Sequence, residues 1–236
     1  LASAISLNPS ATLTLKNTNG VGTSVINNTG NVILQEIKDT FKNTISGNGG
    51  VSLTAAQIVL DQAASISGSL AVDSTSQLTV QKGTTIAAAS LNNSGVVVAD
   101  TTTGAWTLTS DLSGSGQLVV QGTAANAFTI TGTKTHSGAT SVTSNAALIL
   151  NGQLPNSSVA IAEKARLSGN GLMATLTTAG TSAPGNSIGT LQVTGPINFQ
   201  ASHVYEAEID STGASDLIAG NDQATISGNL DVVPMA

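Results

Sequence analysis

Apolar side chains fall at every second position along almost the whole chain, and that period decides what the chain can fold into. "WTLTS" puts Trp106 and Leu108 on one face, "QLVVQ" does so with Leu118 and Val120, "FTITG" with Phe128 and Ile130, "ALILN" with Leu148 and Leu150. "SVAIA" pairs Val159 with Ile161, and "TLQVTG" pairs Leu191 with Val193. "VYEAEID" sets Tyr205, Ala207 and Ile209 inward against Glu206, Glu208 and Asp210 outward. Successive side chains of a strand point to opposite faces, so this period marks half-buried strands. The runs are short, and clusters of Gly, Asn, Ser and Thr separate them. A new run begins roughly every 7–12 residues, which is the spacing of an all-β protein. Charged residues make up only 8% and hydrophobic residues 40%. Short polar and β-branched residues therefore carry the solvated faces, where they suit strands and turns better than helices.

Repetition chooses among β architectures. The unit [Ile/Leu]-Ser-Gly occurs at Ile45, Ile66, Leu112, Leu167 and Ile226. Three copies extend to "ISGNGG" (45–50), "LSGSGQ" (112–117) and "LSGNGL" (167–172), each followed by a β run. A two-sheet sandwich has no reason to reuse one local turn along its length, and coils with turns of variable length do. The sequence therefore predicts a parallel β-helix of about ten coils, each of ~20–25 residues, with Val, Leu, Ile and Ala stacked inward. One segment departs from the period. In "NVILQEIKDTFKN" (31–43), Val32, Ile33, Ile37 and Phe41 are spaced helically. A strand followed by an exposed turn is the preferred reading, with one short helix as the alternative. The aromatic residues Phe41, Trp106, Phe128, Phe199 and Tyr205 read as core fillers at inward positions or strand starts.

The net charge of −6 is local. Residues 1–202 hold seven bases (Lys16, Lys38, Lys42, Lys82, Lys134, Lys164, Arg166) and seven acids. Residues 203–236 hold Glu206, Glu208, Asp210, Asp216, Asp222 and Asp231 with no base. No basic groove forms from this pattern, so nucleic acid is not an expected partner. The absence of Cys excludes a disulfide framework and a thiolate metal site. No apolar run approaches the ~18 residues of a membrane span. No secretory leader is read at the start, and "LASAISLNPS" reads as a cut inside a longer protein.

The chemistry-bearing patterns are few. Gly185-Asn186-Ser187-Ile188-Gly189 has the G-x-S-x-G form of a hydrolase nucleophile elbow. That elbow needs a helix after the Ser, then an acid, then a His. Here the strand pattern "TLQVTG" follows, and no acid lies between Ser187 and His203. The stretch instead reads as a structural turn: Pro184 fixes φ, Gly185 and Gly189 allow the bend, and Asn186 and Ser187 bond local backbone. Glu206, Glu208 and Asp210 share a strand face that could serve a cation or acid–base work. One row without the partner carboxylates or a nearby Arg reads as a solvated strand. His136 and His203 read as surface or turn residues rather than ligands. Neither a calcium-binding glycine–aspartate repeat nor a phosphate-loop lysine is present. No catalytic, cofactor or metal residue is therefore expected.

Residues 112–152 resemble the repeat of passenger domains of Gram-negative autotransporters. Gly114, Gly116, Leu118, Thr131, Gly132, Thr135, Ser137, Gly138, Thr140, Leu148, Leu150 and Gly152 match its pattern, and Lys134 and His136 depart from the usual Asn and Tyr. Residues 168–230 resemble the last part of such passengers: Pro184-Gly185-x-Ser187-x-Gly189-x-Leu191, then Tyr205-x-x-Glu208, then Ser215-Asp216-x-Ile218, then Gly228-x-Leu230. The third of these carries Ile where the family has Leu. The resemblance implies a right-handed parallel β-helix exported by type V secretion. It implies stem coils over 1–167 and an autochaperone-like region with a cap over 168–236. The partner it implies is a C-terminal outer-membrane β-barrel, absent from these residues, and the location it implies is the bacterial cell surface or the medium.

Three functions fit to different degrees. The first is a structural, non-catalytic stem whose C-terminal coils promote passenger folding during translocation. The second is an adhesin or self-association module that binds a host surface or other cells through its faces. The third, a polysaccharide-cleaving β-helix, requires acids and bases to converge in one groove.

Overall fold

The computed structural model describes residues 4–61, 65–81, 85–86 and 90–235; Lys82 and the first three residues of the opening stretch lie outside them. Among the described residues every regular element is a strand, and the named strands pair in parallel. The result is the expected all-β parallel β-helix, with about ten turns. The chain forms two compact units, residues 1–100 with 110–117, and residues 101–109 with 118–236.

In the first unit a turn is built from three short strands. Ile26–Asn28, Asn31–Gln35 and Lys38–Phe41 form one; Thr44–Ser46, Gly50–Thr54 and Gln57–Leu60 form the next. Each strand stacks on its counterpart in the previous turn, and the inward residues stand in columns. Ile5, Ile26, Ile45 and Ile66 make one column; Leu13, Val32, Val51, Leu70, Leu91 and Leu112 make another. Steps along the second column are 19 residues from Leu13 to Leu70, just tighter than expected, and 21 from Leu70 to Leu112, within the expected range. The segment 31–43 holds no helix. It is strand Asn31–Gln35, a bend at Glu36 with φ 57°, and strand Lys38–Phe41. Ile37 and Phe41 are buried because the bend resets which face points inward.

The [Ile/Leu]-Ser-Gly unit turns out to mark a corner where one turn passes closely over another. Gly47 (φ 95°) and Gly114 (φ 94°) lie in the left-handed region, and a Cβ on either would strike the carbonyl of Asn28 or Asn93 below. Those two asparagines are fully buried and identically bonded. Asn28 Nδ2 donates to the Gly50 carbonyl at 2.9 Å, and its Oδ1 accepts the Gly30 N–H at 3.1 Å. Asn93 Nδ2 donates to the Gln117 carbonyl at 2.8 Å, and its Oδ1 accepts the Gly95 N–H at 3.1 Å. Both termini of each amide are satisfied, which is the condition for burying one at low cost. The repeated stretches "INNTG" (26–30) and "LNNSG" (91–95) carry this device.

In the second unit the column Trp106, Phe128, Leu148 and Leu167 continues through Ser182 to Tyr205 and Leu230. Trp106 lies against Phe128 with ring centroids 4.6 Å apart. A second column runs Leu118, Thr140, Val159, Leu176, Ile197 and Ala224. Buried Thr140 meets Ser157 at 2.8 Å, and Ser157 donates to the Gly138 carbonyl, so the polar step in the column is satisfied. The 167/168 division drawn from resemblance falls inside this unit, within strand Arg166–Gly169.

Candidate functional site: the C-terminal coils

The G-x-S-x-G stretch leaves the end of strand Thr181–Pro184. Pro184 is buried, and Gly185 has φ 90°. A Cβ there would collide with the Ser187 carbonyl, so the bend closes only around glycine. Gly185 and Gly169 exchange two backbone bonds, Gly185 N–H to the Gly169 carbonyl at 2.8 Å and the reverse at 2.9 Å. A Cβ on Gly189 would run into the Asn170 side chain. Ser187 is exposed, and its Oγ sits 3.7 Å from Met235 Sδ. No hydrogen bond joins Ser187 to a histidine: His203 Nδ1 lies 2.8 Å from the Gly180 carbonyl and 3.3 Å from Thr178 Oγ1.

Asp216 braces this turn from the far side. Its Oδ1 accepts the Gly189 N–H at 2.8 Å, and its Oδ2 accepts the Glu208 N–H at 3.0 Å. Tyr205 Oη donates to the Asp216 carbonyl oxygen at 3.0 Å. Burial, then the nearby Asp216 charge, pushes the Tyr205 hydroxyl above its ordinary range. One short side chain thus ties the turn to strand Val204–Ile209. Its sequence signal was the Ser215-Asp216 pair, which carried resemblance but no stated bonding.

The acidic strand face has the basic partner that it lacked in the sequence. Arg166, forty residues earlier, forms a two-pronged pair with Glu206: Nη1 to Oε2 at 2.8 Å and Nη2 to Oε1 at 2.7 Å. The arginine's hydrogen bonds hold the Glu206 carboxyl below its usual range and raise Arg166 in turn. A cleft of about 250 Å³ lies beside them, lined also by Ser168, Ser187, Glu208 and Asp216. Chemically, Glu206 is locked as the anion and is unsuited to donate a proton, while Arg166 is already neutralised. Asp216 spends both carboxylate oxygens on backbone N–H groups. Among the described residues no three metal-binding side chains come together.

The histidines overturn their expected placement: His136 and His203 are both buried, not on the surface. His203, just before strand Val204–Ile209, shares the parity of Tyr205 and Ala207 and points inward with them. Its ring stacks on Phe199 with centroids 4.2 Å apart. A carbonyl can only accept, so Nδ1 carries the proton and donates to Gly180, and Nε2 is left with no hydrogen-bond partner. Burial pushes this imidazole below its ordinary pKa. His203 forms part of the lining of an apolar cavity of about 490 Å³, with Ile197, Phe199, Leu217, Ile226 and Leu230. Tyr205, read as inward, is half-buried, and Ile209, also read as inward, is exposed, although strand Asn229–Pro234 pairs along both of them.

No family model matches the chain, and no solved structure does either. Among curated proteins, an uncharacterized lipoprotein named YdeK, from Escherichia coli strain K12, is 35% identical over 120 residues. The match spans 50% of this chain and 9% of that protein, so the chain is similar to a small part of a much longer relative.

Proposed function

We propose that this chain is a structural, non-catalytic stem of an autotransporter-like passenger, held at the bacterial surface or released from it. Its C-terminal coils would be the template on which the rest of the stem folds as it crosses the outer membrane. The observation that carries this reading is the uninterrupted stacking of inward columns, in which each turn completes its core only against its neighbours. Stability in such a fold grows turn by turn, so a turn that has folded outside resists being drawn back. The resemblance of residues 168–230 to the last part of passengers supports the order: those coils would emerge first and earlier coils would stack on them. A relative named a lipoprotein supports a cell-envelope location. The pairing of Arg166 with Glu206 and the structural use of Asp216 support a non-catalytic reading of the acidic face. The partner in export is then an outer-membrane β-barrel.

The test is deletion of residues 168–236 from the full-length protein, with surface display measured by accessibility of an N-terminal tag to external protease. The expected outcome is loss of display with normal synthesis. Unchanged display would remove the folding role.

A further inference from the structure

A turn of a solenoid rests on its two neighbours, and side-chain ties usually join one turn to the next. In the first unit Ser46 Oγ donates to Asn27 Oδ1, and Asn43 Nδ2 to the Ser24 carbonyl, each across 19 residues. In the second, Thr140 meets Ser157 across 17 residues and Thr178 meets His203 across 25. Two ties of the second unit skip a turn. Arg166 and Glu206 are 40 residues apart, and strand Thr181–Pro184 lies between their strands, paired with both. Asn186 Nδ2 donates to Asn151 Oδ1 at 3.2 Å across 35 residues. Strand Arg166–Gly169 lies between the two strands that lead into those asparagines.

Short side chains leave the longer strap a path. Ser182 is buried in the inward column, so Thr181 and Ala183 face outward, and Ala183 shares the cleft of about 250 Å³ with Arg166 and Glu206. The guanidinium crosses there with both prongs engaged. The asparagine strap is helped by the turn that it passes: Asn151 Oδ1 also accepts the Asn170 N–H at 3.3 Å, and Asn170 Oδ1 accepts the Thr190 N–H at 2.9 Å. The two straps overlap. One runs from Ala147–Leu150 to Thr181–Pro184 and the other from Arg166–Gly169 to Val204–Ile209, so four consecutive strands of one sheet are tied. Each of the four pairs on both sides, so the straps lie within the stack and not at its end.

We infer that the Arg166–Glu206 and Asn151–Asn186 straps are a stop built into the stack, which makes turns in this stretch come away in groups when the chain is pulled. Where turns touch only their neighbours, a turn at the front of an unzipping stack leaves by breaking one ladder, and the next leaves in the same way. Strand Val204–Ile209 leaves only if its ladder with Thr181–Pro184 and the Arg166–Glu206 fork break together. The load that breaks both exceeds what the next ladder withstands alone, so the turn beneath follows in the same event. In export, such a stop would oppose the drawing back of coils already folded outside. That role rests on the stem reading above, and the stop itself is a property of the fold.

The experiment stretches chain 1–236 in optical tweezers with a handle at each end. Loss of a single turn releases about 70 Å of contour, and loss of two turns together about 140 Å. The expected record holds single-turn steps and, at higher force, one event of about 140 Å or more. Arg166→Gln should split that event into single-turn steps and shorten its lifetime at constant force about fivefold. The exchanged pair, Arg166→Glu with Glu206→Arg, should restore it. Asn43→Ala, which removes a one-turn tie in the first unit, should leave it unchanged. Single-turn steps throughout, one rip of the whole chain, or a grouped event that survives Arg166→Gln would each overturn the proposal. The record of the unaltered chain decides between grouped and single steps even where a variant fails to fold. Nothing is exported in this measurement, so a failure here is read separately from a failure of the display test.

Discussion

Two stretches of the second unit use the same repeat and are held together differently. From Ala127 to Gly169 the turns are fastened mainly from inside: Phe128, Leu148 and Leu167 are sealed in one column, backbone ladders run between turns, and hydroxyls such as Thr140 and Ser157 add short bonds within the stack. From Thr181 to Pro234 the column passes through Ser182 and half-buried Tyr205 to exposed Leu230, and charged side chains join the backbone ladders in the fastening. Arg166–Glu206 spans two turns, Asp216 gathers two backbone N–H groups, and His203 reaches down to Gly180. A solenoid turn draws its hydrophobic stability from both neighbours. Where the inward column turns polar or half-exposed, as at Ser182 and Tyr205, named polar contacts carry a larger share.

The sharpest way to break this contrast is to remove the same atoms from each stretch. Leu148→Ala should cost about 3–5 kcal/mol in urea unfolding, because it opens a cavity between two packed turns. Leu230→Ala should cost about 0.5 kcal/mol or less, because its side chain already meets solvent. Equal costs would show that the last turn is as well covered as the middle of the stack.

Gly185→Val comes next, at about 2–3 kcal/mol, since φ 90° and the Ser187 carbonyl both exclude a Cβ. Thermal melting should register this loss and should not register Ser187→Ala, whose hydroxyl is exposed. Comparable effects from the two would mean that the serine, not the bend, is what the turn is built around.

The difference between the stretches also explains what the sequence disclosed. Period two reported the inward faces directly, because alternation is itself the burial pattern of a stacked strand; Val159 with Ile161 and Leu191 with Val193 are buried as read. Contacts set by the length of a turn were hidden. Arg166 meets Glu206 only because two turns separate them, and that needs turn lengths the irregular spacing of the Gly corners did not supply. His203 was legible and was missed: it holds the parity of Tyr205 and Ala207, and its residue type outweighed its position. The asparagine corners were legible too, as two copies of Asn-Asn-[Thr/Ser]-Gly, each one turn below a Gly corner.

Asp216→Ala tests the brace. It leaves the N–H groups of Gly189 and Glu208 without their acceptor, one of them at the bend, for a loss of about 2 kcal/mol. Asp216→Asn, which keeps one acceptor oxygen, should recover part of it. Hydrogen exchange should place the loss at residues 185–217 and leave residues 127–169 protected. Exchange that rises equally in both stretches would show that they unfold as one unit and that the contrast between them is only geometric.

The smallest effect is a slope with pH, and it comes from His203. Burial holds its folded pKa below the ordinary 6.5, so the unfolded chain takes up the proton first. The stability contributed by the neutral ring is therefore complete above about pH 6.5 and declines as pH falls from there toward the folded value. Glu206 has the same sign in a lower window: Arg166 depresses its pKa, so its contribution is present above about 4.5 and is lost on acidification through the folded value. The two separate by substitution. His203→Gln should flatten the urea midpoint between about pH 5 and 7 and leave the lower fall intact; Glu206→Gln should do the reverse. The histidine's slope should also be confined to the C-terminal stretch, because protonation puts an N–H at Nε2, where no acceptor stands, and loosens the ring from Phe199 in the last turns alone. Exchange that quickens near residues 197–204 below pH 6 while residues 147–161 stay protected is the expected signature of turns held by side chains rather than by a sealed core.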